Sequence, residues 1–254
     1  MLDIEGSAVT RKSYKITVHT LEPFRIGGLA DPLSQADNPI AMIGGRPCIP
    51  GSSLKGALRA EIERALNIVF FDRNGGQWKD AGFRPCLPST RISSEEQRLV
   101  EEERYRGRGC AYPGGSMICP CCYLLGAQGL VGFVNVPFLY AEPGYATLPG
   151  VRLDRVFGTV VDGSNRKYQV LPQETIFSGE MEVLIEDPFL GWKLGTKRPL
   201  KEKPDADAWL RQESQEPDTI LQDFILDRLR GIKHLGGFRS RGCGRVSIDV
   251  TEVA

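Results

Sequence analysis

The stretch Ile49-Pro50-Gly51-Ser52-Ser53-Leu54-Lys55-Gly56-Ala57-Leu58-Arg59 reads as a strand end, a tight turn and the opening of a helix. Its apolar positions continue as Ile62, Ala65, Leu66 and Val69, which mark one face of a helix over 52–69. The first turn of such a helix has N–H groups without intrahelical partners and the positive end of the helix dipole. Two serines and a lysine stand there, which suits a phosphate. Ser52 and Ser53 are also good helix caps, so the motif reads both ways.

Upstream, Tyr14, Ile16, Val18 and Thr20 alternate with polar residues and predict a half-buried strand over 14–21. Turn formers fill 23–45, a long loop. Downstream, 133–140 and 151–154 are strand candidates. In 176–186, Phe177, Gly179, Met181, Val183 and Ile185 fall on one face of another strand. Residues 218–230 predict a helix with Leu221, Phe224, Ile225 and Leu229 inward, and 245–250 a closing strand. The order strand, helix, strands, helix, strand is that of an α+β, ferredoxin-like core, the topology of RNA-recognition motifs. The aromatic surface motif of ordinary RNA-recognition motifs is missing. We read 1–254 as a single domain, with 70–126 as an insertion rich in Gly, Pro, Cys and charge, holding a short helix near 94–103. Residues 191–216 read as a polar loop or frayed helix.

The chain has 254 residues, of which 41% are hydrophobic, enough to bury a core. No apolar run is long enough for a bilayer and the first residues lack a leader pattern, so a cytoplasmic location with no membrane partner is expected. Seven cysteines then suggest metal ligands or free thiols in a reducing compartment. Cys119 and Cys122 form a C-x-x-C pair, with Cys110 and Cys86 upstream; zinc takes four such ligands in a tetrahedron. Structural zinc on Cys86, Cys110, Cys119 and Cys122 would give the insertion the core it lacks. Cys121 rivals Cys86 for the fourth place, while Cys48 and Cys243 read as packed thiols.

The 32 basic and 32 acidic residues cancel, which argues against a general polyanion binder. The cations are segregated, however. Leu235-Gly236-Gly237-Phe238-Arg239-Ser240-Arg241-Gly242-Cys243-Gly244-Arg245-Val246 is a glycine-dense loop studded with arginines. Glycines allow close backbone approach and arginines grip phosphates bidentately. A Walker lysine, a dinucleotide fingerprint and a nucleophile elbow are all missing. His19 and His234, the two histidines, are not placed by sequence as an acid–base pair.

With 49–59 and 236–244 in this order, the chain resembles the RAMP superfamily of CRISPR-associated proteins, and more narrowly the repeating backbone subunit of type III effector complexes. The resemblance implies a subunit that binds guide RNA, polymerises along it with copies of itself and other effector subunits, and cuts the paired target RNA at regular intervals. It implies RNA contacts from Ser52, Ser53, Lys55, Arg59, Arg155, Gly236, Gly237, Phe238, Arg239 and Arg241. Asp37, in Ala36-Asp37-Asn38-Pro39, resembles the family's cleavage aspartate, with magnesium or manganese as cofactor and Asp31 as the rival. Tyr123-Leu124-Leu125-Gly126 after the C-x-x-C pair resembles the family's zinc-bearing segment. Arg152-Leu153-Asp154-Arg155 resembles the entry to a thumb hairpin, here 155–172, with Val160, Val161 and Tyr168 as an apolar wedge between bases. A scaffold subunit without nuclease activity and a ribonuclease that processes guide precursors are the alternatives within the family.

Overall fold

A computed structural model describes residues 8–28, 37–88, 92–115, 117–210 and 215–253. The first alternating run forms β1 (Thr10–Thr20), which buries Tyr14, Ile16, Val18 and Thr20. A tight hairpin of β2 (Met42–Ile43) and β3 (Arg46–Ile49) leads into α1 (Gly51–Phe70). Leu54, Leu58, Ile62 and Leu66 of α1 are fully buried, the i, i+4 stripe expected of a helix packed on a sheet. Val69 is exposed. The insertion holds α2 (Ser94–Glu101), opened by a capping box between Ser93 and Glu96, and α3 (Pro120–Leu125).

After α3 come β4 (Val134–Asn135), β5 (Leu139–Tyr140), β6 (Ala146–Gly150), β7 (Arg166–Val170), β8 (Ile176–Asp187) and β9 (Trp192–Lys193). The C-terminal helical stretch joins α4 (Pro217–Ile220), a π turn (Leu221–Leu226) and α5 (Asp227–Gly231); β10 (Val246–Val253) follows.

The main sheet is antiparallel and runs β10-β1-β8-β5-β3-β2, with β4 and β9 also paired to β8; β6 and β7 form a separate hairpin. Register matches apolar to apolar: Ile16 lies opposite Val250, and Val18 opposite both Ile248 and Phe177. This buries one continuous face, with α1 packed on α5 and α5 on β10. Gly179 admits the crossing chain, because a Cβ there would sit 2.6 Å from the Phe138 carbonyl oxygen.

Three expectations change. The single strand over 133–140 is split into β4 and β5; Pro137 stands between them and has no N–H for a ladder. The strand expected at 151–154 lies earlier, as β6, and Leu153 makes only an isolated bridge to Val160. Most of 191–210 is a packed segment rather than a polar loop. Arg198 and Asp207 pair at 2.7 Å with side chains 0% and 1% exposed, beside the buried Trp209. Arg198 also stacks over Tyr123, Trp192 and Phe133. The two charges cancel in the core, so hydropathy does not reveal their burial. Among the described residues no helix is long and apolar enough to cross a membrane.

Candidate nucleic-acid interface and metal centre

The N-cap of α1 is Pro50, which has no side-chain acceptor, and its first turn carries no acidic residue. Ser52 and Lys55 are exposed and Ser53 is half-buried. Gly51 fixes this end against the β4–β5 connection, since a Cβ there would lie 2.6 Å from the Val136 carbonyl oxygen.

The glycine-dense loop is shaped by its own chain. Gly237 N–H donates to the Arg25 carbonyl at 2.8 Å, and a Cβ on Gly236 would lie 2.3 Å from that oxygen. Gly236 and Phe238 both adopt positive φ. Phe238 is held between the guanidiniums of Arg25 and Arg241, at 4.9 and 4.8 Å from its centroid, and meets the edge of Tyr168. Arg239 is exposed and donates to the Gly236 carbonyl.

Tyr168 links this loop to the β6–β7 hairpin, whose strands are Ala146–Gly150 and Arg166–Val170. The Tyr168 ring covers Gly150, where a Cβ would clash. Between the strands, Asp154 accepts from the N–H groups of Val156 and Phe157. These bonds hold its carboxyl below the usual range. The turn they make projects Val156 and Phe157, 83% and 79% exposed, more than any other large apolar side chain among the described residues. Arg155 is exposed beside them. Of the three expected wedge residues, Val160 is exposed, but Val161 and Tyr168 are half-buried. The sequence signal for the tip is an apolar pair, Val156-Phe157, standing between an arginine and a glycine in a polar segment.

Asp37 is exposed and sits against the same hairpin: its Oδ2 accepts from the Lys167 N–H at 2.8 Å. Asn38 continues the contact, receiving the Gln169 N–H on its carbonyl, and the buried Gln169 side chain accepts from Ile40 N–H. Asp31 lies outside the described residues.

Cys86, Cys110, Cys119 and Cys122 converge, with all four sulfurs buried and within 4.8 Å of one another. Cys86 is 3.5 Å from Cys122 and 3.8 Å from Cys119, sulfur to sulfur. A tetrahedron of zinc–sulfur bonds of about 2.3 Å has edges of about 3.8 Å, so the group fits a structural metal such as zinc. Cys86 is the sulfur that completes this group of four, and Cys121 is buried outside it. Burial pushes the Cys119 thiol up, but contacts with Cys110, Cys121, Cys122 and Cys86 outweigh it and hold it well below its ordinary value. Its sulfur partner Cys110 lowers Cys86 to about 6. Cys110 and Cys122 are pushed the other way by their sulfur neighbours. Without an ion the negative charge therefore settles on Cys119 and Cys86, and a divalent ion is what draws thiolates from all four. Cys48 and Cys243 are raised by burial.

Lys55 and Arg59 line one cleft with Arg11, yet their roles diverge. Arg59 turns inward, donating to Cys122 Sγ at 3.4 Å, Cys86 Sγ at 3.3 Å and the Cys86 carbonyl at 2.9 Å. Its other edge pairs with Glu63 at 2.6 Å. Burial pushes the Glu63 carboxyl up to about 7, and its neighbour Tyr105 is hydrogen-bonded to it. Arg106 donates to Cys110 Sγ at 3.2 Å. Sequence reasoning missed this use of both arginines.

No curated protein matches the chain. The family model described as the RAMP superfamily matches residues 17–247, from within β1 into β10. The chain belongs to the RAMP superfamily, whose proteins generally bind CRISPR RNA and other effector subunits.

Proposed function

We propose that this protein is a guide-RNA-binding backbone subunit of a type III CRISPR effector complex and that it cuts the paired target RNA at regular intervals. The observation that carries the reading is the attachment of Asp37 to the root of an exposed apolar-tipped hairpin, which in turn touches the glycine-arginine loop. The strand order β10-β1-β8-β5, with α1 and α4–α5 as its helices, supports a ferredoxin-like core. On it, the α1 first turn, with Ser52, Ser53 and Lys55, and the loop from Gly236 to Arg241 form the guide face. Arg59 lines the cleft beside Lys55, but its guanidinium is taken up by Cys86, Cys122 and Glu63, so its part in that face is to hold α1 in place rather than to grip phosphate. Arg155, Val156 and Phe157 at the tip part the bases of the guide–target duplex. Sequence is then read by base pairing and this chain reads the backbone.

Cleavage is attack of an RNA 2′-OH on its adjacent phosphate, breaking the bond from phosphorus to the next nucleotide's 5′-oxygen, which leaves with a proton from solvent as a 5′-hydroxyl beside a 2′,3′-cyclic phosphate. The attack needs in-line geometry and loss of the 2′-hydroxyl proton. Asp37 is hydrogen-bonded to the strand that leads out of the tip, so the nucleotide splayed by Phe157 is brought toward it. Asp37 orients or deprotonates the hydroxyl. A magnesium or manganese ion, when bound, supplies charge to the phosphate. Zinc on the four cysteines shapes the 70–126 insertion and takes no part in the chemistry. The partners are guide RNA, target RNA, copies of this chain and other effector subunits, in the cytoplasm.

The test is cleavage of a labelled RNA complementary to the guide by the assembled complex, with and without EDTA, comparing wild type and Asp37→Ala. Evenly spaced, metal-dependent products lost in the variant support the proposal. A wild-type complex that binds target and leaves it whole makes the chain a scaffold.

A further inference from the structure

The cysteine group is approached by two half-buried cations. The Arg59 guanidinium donates to the sulfurs of Cys122 and Cys86, and the Arg106 guanidinium to that of Cys110. Each is held from a second side: Arg59 by Glu63 at 2.6 Å, and Arg106 by the Met117 carbonyl at 3.2 Å. The Cys110 and Cys119 backbone N–H groups add donors to Cys86 Sγ and Cys110 Sγ. Burying a guanidinium is unfavourable without an anion to face. Glu63 already answers Arg59 from one side, but beside four neutral thiols Arg106 would face only a carbonyl and uncharged sulfur. Four thiolates around one divalent ion instead leave a complex with two negative charges for both guanidiniums to face.

We propose that Arg59 and Arg106 are charge-balancing partners that commit this group to a doubly negative, all-thiolate complex of a divalent ion. Through Arg59 they clamp the first turns of α1 to it. The inference rests on the reading that the four cysteines hold a metal, and concerns which complex the surroundings accept. Arg59 stands one turn after Lys55, so an ion held by the insertion fixes the end of α1 that faces the candidate RNA surface. Partners of this kind, lying beyond the ligands themselves, typically change metal retention by about 10–100-fold.

The experiment uses the full chain. Zinc content is measured first, and cobalt(II) is exchanged in, because its absorption distinguishes four sulfurs from three sulfurs and a nitrogen. Release of the ion to a chelator is then timed. Arg59→Gln and Arg106→Gln should keep the four-sulfur spectrum yet release the ion about tenfold faster or more, with Arg59→Lys between them and wild type. Cys110→His removes one negative charge from the complex. In that background Arg106→Gln should change release by less than about twofold, because the cation it deletes no longer has its anion.

Release at the wild-type rate in both arginine variants overturns the proposal while leaving the metal reading intact. So does an equal effect of Arg106→Gln in both ligand backgrounds, which means a packing role only. A wild-type chain that holds no stoichiometric ion overturns the metal reading and the inference with it, before any variant is compared. If Arg59→Gln fails to fold, the Arg106 and Cys110 set carries the decision alone.

Discussion

The Asp37 carboxylate accepts a hydrogen bond at 2.8 Å from the backbone N–H of Lys167, 130 residues along the chain. It stands beside an isolated parallel bridge between Asn38 and Tyr168, and together they fasten the 37–40 segment to β7. The contact uses one carboxylate oxygen. A displacement of the hairpin therefore carries Asp37 with it.

That geometry separates two roles for the aspartate. Asp37→Asn keeps an oxygen able to accept from Lys167 but removes the charge. We expect target cleavage by the assembled complex to fall at least about 100-fold, the usual range for a lost acid–base group, while guide binding and melting temperature stay at wild-type values. If the asparagine variant cuts normally and the alanine variant does not, Asp37 serves only to anchor the segment.

Phe157 and Val156 contact solvent, so the fold does not depend on them. Phe157→Ala should change stability by no more than about 0.5 kcal/mol, as for surface positions away from special features. Cleavage within the guide–target duplex should nevertheless drop, with 2-aminopurine fluorescence reporting less base unstacking. Unchanged fluorescence and unchanged cutting would remove the hairpin tip from the mechanism.

Asp154 ties the tip turn through two backbone N–H groups that lower its pKa from the ordinary 3.8. A carboxyl lowered in the folded state stabilises the turn fully above that ordinary value, and the contribution is lost as pH falls through the lowered one. Proton-exchange protection of the Val156 and Phe157 amides, read by NMR and corrected for intrinsic rates, should hold from neutral pH down to about 4 and fade below it. Asp154→Ala should abolish it throughout; protection that survives in the variant refutes the role.

Arg198 and Asp207 form a buried pair in which neither charge reaches water. Removing one partner strands the other, so Arg198→Met should cost about 3–5 kcal/mol in urea unfolding. Arg198→Met combined with Asp207→Leu should recover much of that loss. A double variant no better than the single would mean the pair acts through the Tyr123 and Trp192 stacking rather than through charge.

The main sheet and its two helices were legible because period and burial agree there. In β8 Phe177, Met181 and Val183 alternate into the core, and in α1 Leu54, Leu58, Ile62 and Leu66 recur every fourth residue. The four cysteines were legible from spacing, and the structure selects Cys86 over Cys121 by bringing its sulfur to the other three. What stayed hidden depends on partners distant in sequence. Arg59 looks like a surface cation beside Lys55 until Cys86 and Cys122, 27 and 63 residues away, arrive at its guanidinium. The 198–209 core is masked because its charges neutralise each other only after folding. The exposed pair Val156-Phe157 was not singled out beside Val160, Val161 and Tyr168, because only the fold shows that the Tyr168 ring is occupied by Phe238 and Gly150 while Val156 and Phe157 stay exposed.

The loop at Gly236–Gly237 takes its shape from Arg25 and Phe238 before any ligand arrives. A polyanion that seats on it therefore meets a surface with little chain entropy left to lose. Its association should be governed by diffusion and charge steering, with little rate penalty from loop ordering. Loosening this cradle, for instance by Phe238→Ala, would convert a rigid docking surface into one that must be ordered at each encounter.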